Sequence, residues 1–251
     1  MEPQNSATRL HLILTRASSV LDKSDNALMH WCRVFGIESA PEETRYIDAA
    51  ERVLWMNVEV DRLNEHLRDV KKYPERGYVE VISGIKQGLS PGHFGRSADH
   101  VRSAFTPTRL TALDHIGLNL QDEEDVLSQD HVSVLQELIK DLEAKSSIVP
   151  IGSYLHMVLR RHIRLLQRAI DAYPIWGVRA FIDALHDASG DLVAGPEIAE
   201  KGEVERSVVE SLKAAWRTVN DYVAEVDKVR RAGVLLGYAG QAVAWLQKHN
   251  P

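Results

Sequence analysis

The stretch VVESLKAAWRTVNDYVAEVDKV, residues 208–229, places Val208, Leu212, Ala215, Val219, Tyr222, Val226 and Val229 at alternating spacings of four and three. That alternation is the seam of a left-handed helix pair. About three heptads suffice for a bundle helix and are marginal for an independent coiled coil. The stretch therefore predicts an all-α multi-helix bundle, and its seam offers a second copy of the chain a surface for homo-oligomer formation.

The same logic extends upstream. Val132, Leu135, Leu138, Ile139 and Leu142 form one helical stripe, and Pro150-Ile151-Gly152 turns the chain. A helix follows over about 153–172, then another from Pro174 to about Ala188, with a loop from Gly190 to Gly202. Nearer the start, Ser6 reads as the N-cap of a first helix carrying Leu10, Ile13, Leu14, Ala17, Val20 and Leu21. A second begins near Ser24, buries Leu28, Trp31, Cys32 and Phe35, and stops at Gly36, a residue suited to the left-handed position that ends a helix. Ser39-Ala40-Pro41-Glu42 opens a long third helix reaching about Lys72, by a capping box and a proline in the first turn. Between Tyr73 and Ser97 the glycines at 77, 84, 88, 92 and 95 interrupt the pattern. Tyr78, Val81, Ile82, Ile85 and Leu89 still fit one helix face there, with a strand at 78–82 as the competing reading.

The expected architecture is thus nine to ten helices, as one bundle or as two lobes joined around residues 84–107. The organisation read from the sequence is an N-terminal helical region (1–90), a Gly/Pro-containing connection (91–107) and a C-terminal bundle (108–251).

Composition narrows the function classes. The 251 residues carry a net charge of −6, which argues against a general nucleic-acid coat while leaving room for a local basic patch. A single cysteine, Cys32, excludes a disulfide framework or a Cys-based zinc site within the chain, and its place on an apolar helix face reads as a buried structural thiol. The N-terminus lacks a basic segment followed by an apolar core, so no secretory signal is expected, and the cytoplasm is the expected compartment. The uncharged run Ala232–Gln247 falls short of the ~20 apolar residues that span a bilayer. Core burial and insertion after assembly both remain as readings of its glycine-rich character. No Gly-x-Ser-x-Gly elbow, His-Glu-x-x-His, Rossmann fingerprint, Walker loop or EF-hand loop is present.

Four features can carry chemistry. The first is a basic ridge. At ~100° per residue, Leu155, Leu159, His162, Leu166 and Ile170 fall on one side of the 153–172 helix and Arg160, Arg161, Arg164 and Arg168 on the other. Guanidinium forks on one face bind carboxylates or phosphates bidentately. The plainer alternative is pairing inside the chain with Asp122, Glu123, Glu124, Asp125, Asp130, Glu137, Asp141 and Glu143.

The second feature is Ala184-Leu185-His186-Asp187-Ala188, which resembles the middle motif of HD-type phosphohydrolases, all-helical enzymes that hold a divalent metal. The resemblance implies a metal held by His156 or His162, by His186 and Asp187, and by Asp221 or Asp227, activating water against a phosphate. The plainer alternative is a solvated pair near a helix end, with His162 a satisfied core histidine. Third, Arg179 and His186, seven apart on one face, resemble the Arg-x4–6-His motif of HEPN ribonucleases, which implies phosphate polarisation and proton transfer. Arg109 and His115 match the same spacing, and an Arg179–Asp183 pair at i,i+4 accounts for the first match without catalysis. Fourth, the loop 90–100 joins Gly92, Gly95 and Arg96 to a helix start and can cradle an anion, or serve simply as a connection.

The sequence thus favours a non-enzymatic helical adaptor or accessory subunit without a cofactor. Its expected partner is a protein, with nucleic acid as a second class reached through Arg160, Arg161, Arg164 and Arg168. The alternative is a helical hydrolase centred on His186, using His162, Arg179, Asp187 and Asp227.

Overall fold

The computed structural model of the chain describes residues 3–20, 26–68, 77–120, 124–193 and 203–226. Among them are ten α-helices: α1 Ser6–Ser19, α2 Ala27–Phe35, α3 Glu42–Arg68, α4 Tyr78–Gly88, α5 Ala98–Ala104, α6 Pro107–Asn119, α7 Gln129–Ser146, α8 Tyr154–Trp176, α9 Arg179–Val193 and α10 Glu203–Val226. The named strands among the described residues are two residues long, Pro3–Gln4 and Glu124–Asp125. The fold is an all-α multi-helix bundle.

The described residues fall into two compact units, the first within Gln4–Gln121 and the second within Asp122–Pro251, which also takes in Pro3. Residues 91–107, expected to be a connection, lie inside the first unit. Pro91–His93 form a 3-10 turn, α5 follows, and Val101 and Phe105 are buried. Two of the glycines that suggested a linker, Gly84 and Gly88, serve close packing instead. A Cβ at Gly88 would stand 2.6 Å from Ala104 Cβ and 2.8 Å from the Phe105 ring, so only glycine lets α4 meet α5 this closely. The 78–82 stretch is helical, and nothing extended forms there.

In the first unit α1 packs against α2, α3, α5 and α6. Its N-cap is Asn5, one residue before the serine expected in that role. The Asn5 side chain accepts from Ala7 N and Thr8 N, and its amide donates to Gly117 O of α6 at 2.9 Å. Helix α2 starts after Asn26 and ends at Gly36, whose φ of 70° is the left-handed turn anticipated from the sequence. Between α1 and α3 lies an ion pair removed from water: Arg9 meets Glu59 at 3.0 Å, with both side chains about 2% exposed or less, and Arg62 approaches the same carboxylate at 3.5 Å. Cys32 is buried, its thiol pushed up by burial, which fits a structural thiol.

The second unit is a four-helix arrangement in which α7, α9 and α10 all pack against α8. Helix α9 continues to Val193, past the expected end at Ser189-Gly190. Residues 194–202, and with them the rest of the expected loop, lie outside the described residues. So do Val229, Asp227 and the Ala232–Gln247 run. No helix among the described residues is long and apolar enough to cross a membrane.

Two predictions follow from the first unit. Arg9→Met leaves Glu59 charged in the interior and should cost about 3–5 kcal/mol in urea unfolding, whereas Arg9→Met with Glu59→Leu should cost much less. The second concerns His93, whose ring lies 4.3 Å from that of His100. Burial first, then the charges of His100 and Arg96, lower the His93 pKa below its ordinary 6.5. A depressed histidine stabilises the fold above that value and loses the contribution as pH falls. The urea midpoint of His93→Gln should therefore change less between about pH 7.5 and pH 5 than that of the wild type.

Candidate interaction surface

Helix α8 is built to present one face outward. Ser153 caps it, accepting from His156 N at 3.1 Å. Leu155, Val158, Leu159, His162, Ile163 and Leu166 are buried against the other three helices, and Ile170 is half-buried. The helix does not break at Pro174 as expected; it runs through to Trp176 and turns at Gly177, whose φ is 62°. A proline this near the end forfeits one backbone bond. Buried Ala172 and Ile175 hold the last turns in place, and the Tyr173 hydroxyl accepts Leu127 N at 2.7 Å.

His162 fixes the rotation of α8. It is fully buried, and its Nδ1 accepts a 2.8 Å hydrogen bond from the Trp216 indole of α10. That lone pair is then committed to the fold, which is the core-histidine reading. Trp216 was missed in the sequence because the seam was traced at a period of 3.5. The buried set on α10 is Val208, Leu212, Ala215, Trp216, Val219, Val223 and Val226, a wider stripe at a period nearer 3.6. Tyr222, assigned to the seam, is half-buried and stacks on His131 of α7 at 4.2 Å. Through Val226, where the described part of the seam ends, this stripe is buried inside the unit.

Opposite the buried face, Arg160, Arg161, Arg164 and Arg168 are all exposed. Two of its acidic neighbours are taken up elsewhere. Glu137 and Asp141 pair with Lys140 and Lys145 along α7 itself. Arg161 reaches the backbone carbonyl of Asp187 on α9 at 3.4 Å. Arg160 and Arg164 form no ion pair or hydrogen bond among the described residues. The ridge continues into exposed apolar side chains at its N-terminal end: Tyr154, Met157 and, just before the helix, Ile148 and Ile151, the last 92% exposed.

Among the described residues, the members of the alternative hydrolase set are not gathered into one site. His162 is at 0% exposure while the His186 and Asp187 side chains, 3.8 Å apart, are 70% and 61% exposed. Asp221 is exposed and His156 half-buried, and no group of three or more His, Cys, Asp or Glu positioned to hold a metal occurs among the described residues. Arg179 pairs with Asp183 at 3.5 Å, the i,i+4 contact expected on a solvated face. Arg109 is a structural clamp: its guanidinium donates to Ala104 O at 2.6 Å and occupies the space where a Cβ at Gly84 would be. His115 is exposed. The 90–100 loop is stitched to the start of α2, with Arg96 O accepting from Ala27 N at 2.8 Å and Ser97 bridging to Asn26.

Comparison of the chain with protein-family models, with curated proteins and with solved structures finds no match. The side chains themselves therefore carry the functional reading.

The anchoring role of Trp216 can be measured. Trp216→Phe keeps most of the packing but strands the Nδ1 of a buried imidazole, so urea unfolding should show a loss of about 1–3 kcal/mol. His186→Ala, on an exposed face, should stay within about 0.5 kcal/mol of wild type.

Proposed function

We propose that the chain is a non-enzymatic helical adaptor or accessory subunit that binds a macromolecular partner through the outer face of α8. One observation carries the reading: a row of exposed arginines, of which Arg160 and Arg164 have no ion-pair partner among the described residues, runs directly into exposed Tyr154 and Met157. A guanidinium left in water keeps its fork of donors available for a carboxylate or a phosphate. Aromatic and arginine side chains together are the usual anchors of protein interfaces. The apolar residues favour a protein with an acidic surface over nucleic acid, which would gain little from Ile151 and Met157. His186 and Asp187 belong to the solvated surface of α9 in this reading, and no cofactor is required.

Parallel affinity capture from native expression, with wild type and with Arg160→Glu plus Arg164→Glu, tests the proposal. The wild type should retain a stoichiometric protein that the double variant loses, while both chains melt alike. Retention of the same protein by both would reject the arginine face. Stoichiometric nucleic acid, read at 260 nm and removed by salt, would replace the protein reading with the nucleic-acid one.

A further inference from the structure

Helix α3 carries a second exposed stripe, of opposite charge to the first. Its inner face is buried through Ala49, Val53, Met56, Val60, Leu63 and Leu67. On the far side lie Ile47, Leu54 and Val58, 68%, 48% and 53% exposed, followed by exposed Asp61 and Glu65. With half-exposed Glu51 these residues run 47, 51, 54, 58, 61, 65, spacings of four and three throughout. The outer face of α8 follows the same rule: Tyr154, Met157, Arg161, Arg164 and Arg168 are separated by three, four, three and four. Each has the spacing of a left-handed helix-pair seam, and its apolar positions stand exposed.

The two seams are also ordered alike. Glu51 apart, each is apolar in its N-terminal half and charged in its C-terminal half, acidic on α3 and basic on α8. Parallel alignment in heptad register sets Glu51 against Tyr154, Leu54 against Met157, Val58 against the Arg161 stem, Asp61 against Arg164 and Glu65 against Arg168. Antiparallel alignment of the same spacings would keep one ion pair, Glu51 with Arg164, and set Asp61 against Tyr154 and Arg168 against Ile47, so charge favours the parallel one with its two pairs. Glu65 has no ion pair among the described residues, and Asp61 meets Lys86 through Oδ1 alone.

We propose that α3 of one copy docks along α8 of a second copy, parallel and in this register. The proposal rests on the reading of the α8 face as a binding surface and names its occupant as another copy of this chain. Such a contact is heterologous: every copy offers one α3 face and one α8 face, so association continues head to tail until a ring closes. A single helix pair falls short of a standard-size stable interface, which makes the assembly weak, dependent on concentration and weakened by salt.

Sedimentation of the full chain tests this through complementation. Leu54→Lys with Val58→Lys places positive charge opposite Met157 and Arg161 and disables the α3 face. Met157→Lys with Tyr154→Ala disables the α8 face by setting a charge against Leu54 and removing the ring beside it. All four positions are about half exposed, and circular dichroism checks that the variants fold. Wild type should gain mass as concentration rises, and each variant alone should remain monomeric. An equimolar mixture retains one working α3 face and one working α8 face, so it should reach twice the monomer mass and stop there. A wild type that stays monomeric, an α3 variant that associates like wild type, or a mixture that stays monomeric each overturns the proposal. Failure here is separable from failure of the adaptor reading. A monomeric wild type whose captured partner is still lost on Arg160→Glu with Arg164→Glu removes self-association and keeps the α8 surface.

Discussion

The hydrogen bond from Trp216 to His162 decides which way α8 faces. Burying an imidazole and an indole is tolerable only if their polar atoms are satisfied, and here each supplies part of what the other needs. The bond ties the middle of α8 to the middle of α10. Once His162 points inward, helical geometry leaves Arg160, Arg161, Arg164 and Arg168 no choice but to point outward. The proposed binding surface is the geometric complement of a core contact, so the stability of this unit and the presentation of its arginines have one cause.

The first unit solves its packing differently. A charged pair, Arg9 and Glu59, sits where apolar side chains would ordinarily lie, and it fixes the rotation of α3 against α1 as His162 fixes α8. Such a pair contributes little net stability, because desolvation offsets most of the attraction. What it does is make any other rotation of α3 expensive. The consequence is a two-faced helix whose outer stripe of Ile47, Leu54 and Val58 is held in water.

The all-α class, the left-handed stop at Gly36, the buried Cys32 and the two faces of α8 were legible because each follows from periodicity or from the backbone preference of one residue. The unit boundary was not. Gly84 and Gly88 look like linker glycines in sequence, and only a third dimension reveals the Arg109, Ala104 and Phe105 atoms that occupy their missing side chains. Pro174 misled for a related reason, since a proline in the last turn of a well-buried helix bends nothing essential. Trp216 and Val223 escaped because a strict heptad and a 3.6-residue period diverge by a residue over a helix of this length. The α3 stripe was hidden by the length of the helix: exposed and buried apolar residues look identical in sequence, and only burial tells them apart.

The central claim is that Arg160 and Arg164, on the outer face of α8, are open to solvent in the isolated chain and covered in its assembled form. Arginine-directed modification with phenylglyoxal, mapped residue by residue, measures this on the dilute chain and on the complex purified from cells. The account predicts rapid modification of Arg160 and Arg164 in the dilute chain, protection of both in the complex, and an unreactive Arg9 throughout. Arginines at 160 and 164 that resist modification in the dilute chain, or that react equally in the complex, would contradict it.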